Sequence, residues 1–272
     1  MRYFRIAVTF IFIVTCVLFG VYYVKVHVTV DKTYPVIEMD SDEITVSISE
    51  GDSALLKGVT ATDGKDGDIT DKIVVVSVSP FIEPGKSTVS YSVCDSDKHV
   101  VSASRTVVYS GYKKPKFSLS MPLVFSPEEG ISLKGAVGAY DVLDGDISSN
   151  VIMTVPDYQN GQTGIFTVHA EAFNSKGDSV TCDLPLVVEK ADPSSPTITL
   201  SDYLVYVKSG STVNPYKYIE SAENIYGEDL MDTVTYKSHK VSDQDGLYKI
   251  DYYVTDVDGS VGHTVLLILP ES

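Results

Sequence analysis

The sequence predicts an all-β protein: three tandem β-sandwich domains behind one N-terminal transmembrane helix. Three observations carry this. An Asp- and Gly-rich turn occurs three times, at residues 61–73, at 139–147 and, in worn form, at 224–230. Each copy is followed, 17 or 18 residues after Asp68, Asp146 or Asp229, by a glycine and then a strand of alternating polarity. Ahead of the first copy lies an apolar run without a charge, residues 6–24.

The leader begins with the short basic segment Met1-Arg2-Tyr3-Phe4-Arg5. As a helix at ~1.5 Å per residue, the apolar run spans roughly 28 Å, close to the ~30 Å hydrocarbon core of a bilayer. Tyr22 and Tyr23 stand where interfacial aromatics belong. No Ala-x-Ala-like cleavage site follows, and Val14-Thr15-Cys16 is a poor lipobox because Thr precedes the cysteine. An uncleaved anchor is therefore favoured over a cleaved signal peptide or a lipoprotein, with residues 1–34 as cytoplasmic stub, anchor and linker. Arg2 and Arg5 face Lys25 and Lys32 across the run, so the charge rule barely orients it. The acidic, turn-rich body favours an extracytoplasmic C-terminal part.

The repeat is then read in order. Asp68 to Gly85, Asp146 to Gly164 and Asp229 to Gly246 are matched spacings. After the glycines, Val89, Tyr91 and Val93 share one strand face. Phe166, Val168, Ala170 and Ala172 do so in the second repeat, and Tyr248, Ile250, Tyr252 and Val254 in the third. Hairpin signals close these strands at Cys94-Asp95-Ser96-Asp97, Asn174-Ser175-Lys176-Gly177 and Thr255-Asp256-Val257-Asp258-Gly259. A last strand ends each repeat, at 99–108, 179–188 and 263–269. Polar, Pro-bearing linkers at 111–115 and 190–196 place the domains at 35–112, 113–190 and 191–272, the last degenerate. Linkers this short predict a semi-rigid rod. One helical turn is expected within 216–228.

Hydrophobic residues at 43% against 21% charged allow buried cores and exclude a disordered chain. The formal net charge is −16, and the body is more acidic still because the leader is basic. Such a field repels nucleic acid and anionic headgroups, so no nucleic-acid partner is expected. Cys16 lies in the leader, and Cys94 and Cys182 fall at non-equivalent points of two repeats. They read as two buried thiols without a disulfide framework.

Residues 61–73, followed by Tyr91-Ser92-Val93-Cys94-Asp95-Ser96-Asp97, resemble the bacterial surface immunoglobulin-like repeats, the Cry22Aa-type domain, close to hyalin-repeat and cadherin-like modules. The typical pattern is Ala-Thr-Asp-x-x-Asp-Gly-Asp-Ile-Thr, then Gly-x-Tyr-x-Val-x-Tyr-x-Val-x-Asp-x-x-Gly-Asn. The first repeat lacks the glycine after Asp97. The second replaces a tyrosine by Ala170, and the third keeps Tyr248, Tyr252, Asp256, Asp258 and Gly259 but little of the turn. The resemblance implies immunoglobulin-like sandwiches in an exported, surface-attached protein acting as a spacer or adhesive stalk.

Two candidate sites follow. Asp63, Asp66 and Asp68, joined by Asp95 or Asp97, offer oxygens of the kind calcium takes, although their spacing is not that of an EF-hand. The competing reading is that these carboxylates make Asx-turns with their own backbone, and it is the favoured one. Calcium in the turn would raise the melting temperature over that in EDTA. Among 18 tyrosines and no tryptophan, Tyr203, Tyr206, Tyr216 and Tyr218, with Tyr226, are the candidate binding face for a protein or glycan ligand. The histidines, His27, His99, His169, His239 and His263, lack zinc-ligand spacing, and His169 is expected on an outward strand face. No nucleophile elbow, Ser-x-x-Lys, phosphate loop or dinucleotide fingerprint occurs. The expected function is non-catalytic: a spacer or interaction stalk, with recognition of wall or host glycan by the third repeat as the alternative.

Overall fold

Each repeat folds as two β-sheets across an apolar core, in a computed structural model that describes residues 2–27, 32–128, 130–190, 192–208, 210–241 and 246–271. Residue 191 of the second linker, residues 28–31 after the anchor and the His27 side chain lie outside the described residues. The chain divides into two compact units, Met1–Gly111 and Tyr112–Ser272.

In the first unit, helix α1 (Arg2–His27) is exposed along its described side chains and is long and apolar enough to cross a membrane. A signal sequence shares that length and composition. The sandwich follows as β1 (Val36–Met39), β2 (Glu43–Ser47), β3 (Val59–Asp63), β4 (Gly67–Asp68), β5 (Val74–Val78), β6 (Lys86–Cys94) and β7 (Val100–Ser110). One sheet runs β1-β3-β4 and the other β2-β7-β6-β5. The alternation on β6 is realised: Val89, Tyr91 and Val93 are buried, because period two sends every second side chain into the same core. Arg105 is buried with them. Its Nε donates to the Tyr91 hydroxyl at 2.9 Å, and its guanidinium also donates to Asp40 and to the carbonyls of Leu55 and Lys57. A buried cation is tolerable only with its donors satisfied in this way.

The second unit holds two sandwiches. The first comprises β8 (Lys116–Leu119), β9 (Val124–Phe125), β10 (Val137–Asp141), β11 (Gly145–Asp146), β12 (Ile152–Thr154), β13 (Gly164–Phe173) and β14 (Ser179–Val188), in sheets β11-β10-β8 and β12-β13-β14-β9. The second comprises β15 (Thr197–Leu200), β16 (Leu204–Val207), β17 (Ile219–Glu223), β18 (Thr235–Lys240), β19 (Tyr248–Thr255) and β20 (Val261–Pro270), in sheets β15-β17 and β16-β20-β19-β18. The expected helical turn forms as a 3-10 turn, Pro215–Tyr218.

Three expectations need correction. The second and third repeats are not successive segments of a rod with separate cores. Leu204, Leu247, Val265, Leu267 and Leu269 of the third repeat join the core of the second, while Leu266 and Ile268 face the third repeat's own core. Both faces of β20 are therefore covered, as its unbroken run Val265-Leu266-Leu267-Ile268-Leu269 requires. Tyr248 is 43% exposed despite its place in the alternation. Cys94 is exposed, because it ends β6 at the hairpin, whereas Cys182 is buried in the second repeat's core. His169 is on the outward face, paired with Asp183.

The three hairpins close alike, with the amides of Lys98, Gly177 and Gly259 donating to the carbonyls of Asp95, Asn174 and Asp256. Lys98 holds φ +73° where the other two copies place glycine. A β-carbon in this left-handed region costs on the order of 1 kcal/mol. We expect Lys98→Gly to stabilise the first sandwich by about 0.5–1 kcal/mol, read as increased hydrogen-exchange protection of its core amides; unchanged or reduced protection would refute the strain.

Candidate functional site

The Asp/Gly turns share one construction. Asp63 Oδ1 accepts from the amides of Lys65 and Asp66, both at 2.9 Å, and Asp141 Oδ1 from those of Leu143 and Asp144 at 2.8 and 3.1 Å. Gly67 and Gly145 take φ +75° and +74°, a conformation that glycine adopts without strain. Asp68, Asp146 and Asp229 each accept from the amide two residues on, opening the short 3-10 turns Thr70–Lys72, Ser148–Asn150 and Met231–Thr233.

Two of the copies reach across the sandwich. Asp66 accepts both the amide of Ser96, at 2.6 Å, and its hydroxyl, at 2.7 Å. Asp144 accepts the same pair from Ser175 at the same distances. Each bond ties the turn to the hairpin opposite, and the Ser96 bonds hold Asp66 below the usual carboxylate range.

Counted from the carbonyls of Ala61, Ala139 and Ala222, which accept from Ile69, Ile147 and Leu230, the third repeat places Gly227 where the others have the aspartate. Counted from the hairpin anchors, it places Val257 where they have the serine. Both halves of the clasp are replaced together. Asn224 holds this turn instead, accepting from the amides of Tyr226 and Glu228 and donating to the Glu228 carboxylate at 2.7 Å. What remains is an apolar tip: Ile225 is 55% exposed, Tyr226 80% and Val257 91%. They edge a groove of about 310 Å³ whose rim includes Glu228, Asp256 and Asp258.

The expected calcium residues are partnered differently. Besides the bonds above, Asp66 lies 3.6 Å from Lys72, and Asp95 accepts the amide of His99 at 2.7 Å and contacts its Nδ1 at 2.6 Å. Asp63 Oδ2 is buried without a hydrogen-bond partner. Its counterpart on Asp141 receives the Asn174 amide at 3.2 Å, and Asp95 stands at the Asn174 position with no such donor. Among the described residues no group of three or more His, Cys, Asp or Glu is placed to hold a metal ion. The observed role of these carboxylates is as turn acceptors.

The four candidate tyrosines do not share one face. The Tyr206 hydroxyl accepts from the Phe117 amide at 2.9 Å, its ring lies 4.6 Å from Lys116 Nζ, and burial pushes its phenol up to about 12. Tyr203 packs against both cores of the unit, and Tyr218 against the core of the third repeat. Tyr216 is on the surface, edge-on to Tyr236 with centroids 5.4 Å apart. The tip was missed apart from Tyr226. Its signal was the paired loss of aspartate and serine, legible only once turn and hairpin are known to touch.

A charged cluster sits where the second and third repeats meet. His263 Nδ1 lies 2.8 Å from Glu189 and its Nε2 3.0 Å from Asp251, which also pairs with Lys249 at 3.0 Å. Tyr253 stacks on the imidazole at 4.8 Å. Burial pushes His263 down, but the two carboxylates outweigh it and raise the pKa to about 9. Burial pushes Asp251 up, and His263 and Lys249 outweigh that to hold it below the usual range.

No family model matches the chain. It is 31% identical over 141 residues to the pesticidal crystal protein Cry22Aa of Bacillus thuringiensis, covering 50% of this chain and 18% of that one. It is 29% identical over 132 residues to an 81.3 kDa protein of Acholeplasma phage L2, covering 46% and 17%. The chain thus spans less than a fifth of the length of these curated relatives. Among solved structures it is similar to the M60 catalytic domain with CBM51-1 and CBM51-2 of Clostridium perfringens ZmpB, at TM-score 0.23 and 16% identity, covering 89% of this chain and 31% of that one. It is also similar to Drosophila N-cadherin EC1-4, at TM-score 0.24 and 12% identity, covering 89% and 76%.

Because the folded pKa of His263 lies above its unfolded value, its contribution is complete below pH ~6.5 and is lost as pH rises through about 9. Hydrogen-exchange protection of β19 and β20 is therefore expected to fall between pH 6.5 and 9.5 after correction for intrinsic exchange. His263→Gln should flatten that dependence, and an equally steep profile in the variant would refute the assignment.

Proposed function

We propose that this chain is a membrane-anchored, extracytoplasmic, non-catalytic stalk of the bacterial surface immunoglobulin-like type, whose third repeat contacts a protein partner through the tip formed by Ile225, Tyr226 and Val257. The observation that carries this is the paired loss of the polar clasp, to Gly227 and Val257, beside the exposed Ile225 and Tyr226 at one end of one repeat. Exposing three such residues together lowers solubility, and a partner that covers them gives the exposure a use. Helix α1 supplies the anchor. The acidic body is repelled by anionic headgroups, which favours a body standing clear of the membrane surface. The carboxylates of Glu228, Asp256 and Asp258 around the tip favour a partner with an apolar pocket edged by Lys or Arg.

A photo-crosslinking side chain at position 257, in the full chain on intact cells, should give one discrete protein adduct. The same probe at Val142, in the turn of the second repeat, should give none. Tyr226→Ser is expected to cut the adduct yield about tenfold, the loss of one interface anchor. Equal labelling at the two positions, or none at 257, would overturn the proposal.

A further inference from the structure

The third repeat also contains a cavity of about 490 Å³ at its β18–β20 face, within the size range of small-molecule sites. Ile250, Ile268 and the half-exposed ring of Tyr248 form its apolar floor, with Lys208, Lys240 and Ser238 among its polar lining. The opening has a structural cause. In the first repeat the segment joining β2 to β3 coils into the 3-10 turn Asp52–Leu56 and buries Ala54 and Leu55 over the core. The corresponding turn of the third repeat, Pro215–Tyr218, buries no residue, although Tyr252 donates to the Pro215 carbonyl just as Tyr91 donates to that of Leu55. The cover over the core is thinner here, with Val213 and Tyr218 only partly buried against it and Tyr248 43% exposed at the cavity.

The charge of that segment is reversed as well. Residues 48–58 carry Glu50 and Asp52 against Lys57, whereas residues 208–218 carry Lys208 and Lys217 and no carboxylate. In a protein of net charge −16, no carboxylate lines the cavity among the described residues. Lys208 is exposed and makes no ion pair among them. A long-chain anion would want a deeper apolar tunnel than this floor, while the hydroxyls of Ser211, Thr212 and Ser238 suit a polyol. We infer that this cavity binds a carboxylated pyranose, its ring face against Tyr248 and its carboxylate at Lys208. This site is independent of the tip, which lies on other loops.

The test is a ligand-observed NMR titration of the full chain in nanodiscs with D-glucuronate, N-acetylmuramate, glucose and N-acetylglucosamine. At least one acidic sugar should bind tenfold or more tightly than its neutral counterpart, and the tighter acid distinguishes a uronate-bearing glycan from a wall-derived source. Lys208→Gln should weaken binding at least tenfold, and Lys208→Arg should retain it within about threefold. Tyr226→Ser should leave it unchanged, which separates this site from the partner contact. Lys208 is on the surface, so matched circular dichroism of the variants is expected. Equal binding of neutral sugars, an unaffected Lys208→Gln variant, or no binding of either acid would overturn the inference.

Discussion

The aspartate that accepts both the amide and the hydroxyl of one serine closes the first two sandwiches at one end. These domains have no disulfide among their described residues, so the turn and the hairpin opposite are held by packing and by such bonds alone. A charged acceptor with two donors from one residue is short and directional, and it fixes the two loops relative to each other. The construction depends on glycine at the next position, because the chain must turn through a left-handed conformation to aim the carboxylate across. Where Gly227 and Val257 replace the pair, the loops are held by Asn224 and the surface between them becomes apolar. A structural bond in two repeats is thus replaced by an exposed apolar surface in the third.

Packing between the second and third repeats follows a different constraint. A strand that is apolar at consecutive positions cannot leave one face in water without exposing a row of Leu and Val side chains. β20 is such a strand, and its second face is covered by the core of the preceding sandwich. Burying that face brings polar groups of β19 and β20 into the joint, where an unpaired charge would be costly. His263, Asp251, Lys249 and Glu189 are accordingly paired with one another. Tyr206 reaches the Phe117 amide from the edge strand β16, so Tyr203 and Tyr206 are packing residues of the joint and not a ligand face.

The three repeats also show how one scaffold is altered without losing its fold. Tyr91 and Tyr252 both send a hydroxyl to the carbonyl of the 3-10 segment below, while the second repeat has Ala170 there and manages without the bond. The segment beneath is free to vary. It is a lid over the core in the first repeat and an open rim in the third. The repeats differ where the scaffold tolerates change, in the loops at the ends of the sandwich.

The sequence alone determined the repeat, the strand faces and the turn chemistry. These rest on local rules: period-two burial placed Val89, Tyr91 and Val93 inward, and clustered Asp and Gly marked the tight turns. The apolar leader was likewise readable from length and charge. Tertiary structure decided which loops touch, and so which aspartates became acceptors for a serine some thirty residues away. It also decided that the second face of β20 would be buried and that Tyr216, unlike Tyr206, would remain on the surface. Those outcomes turn on contacts between segments distant in the chain. A tyrosine on a strand has the same local signature whether its ring meets water, its own core or the core of the neighbouring repeat.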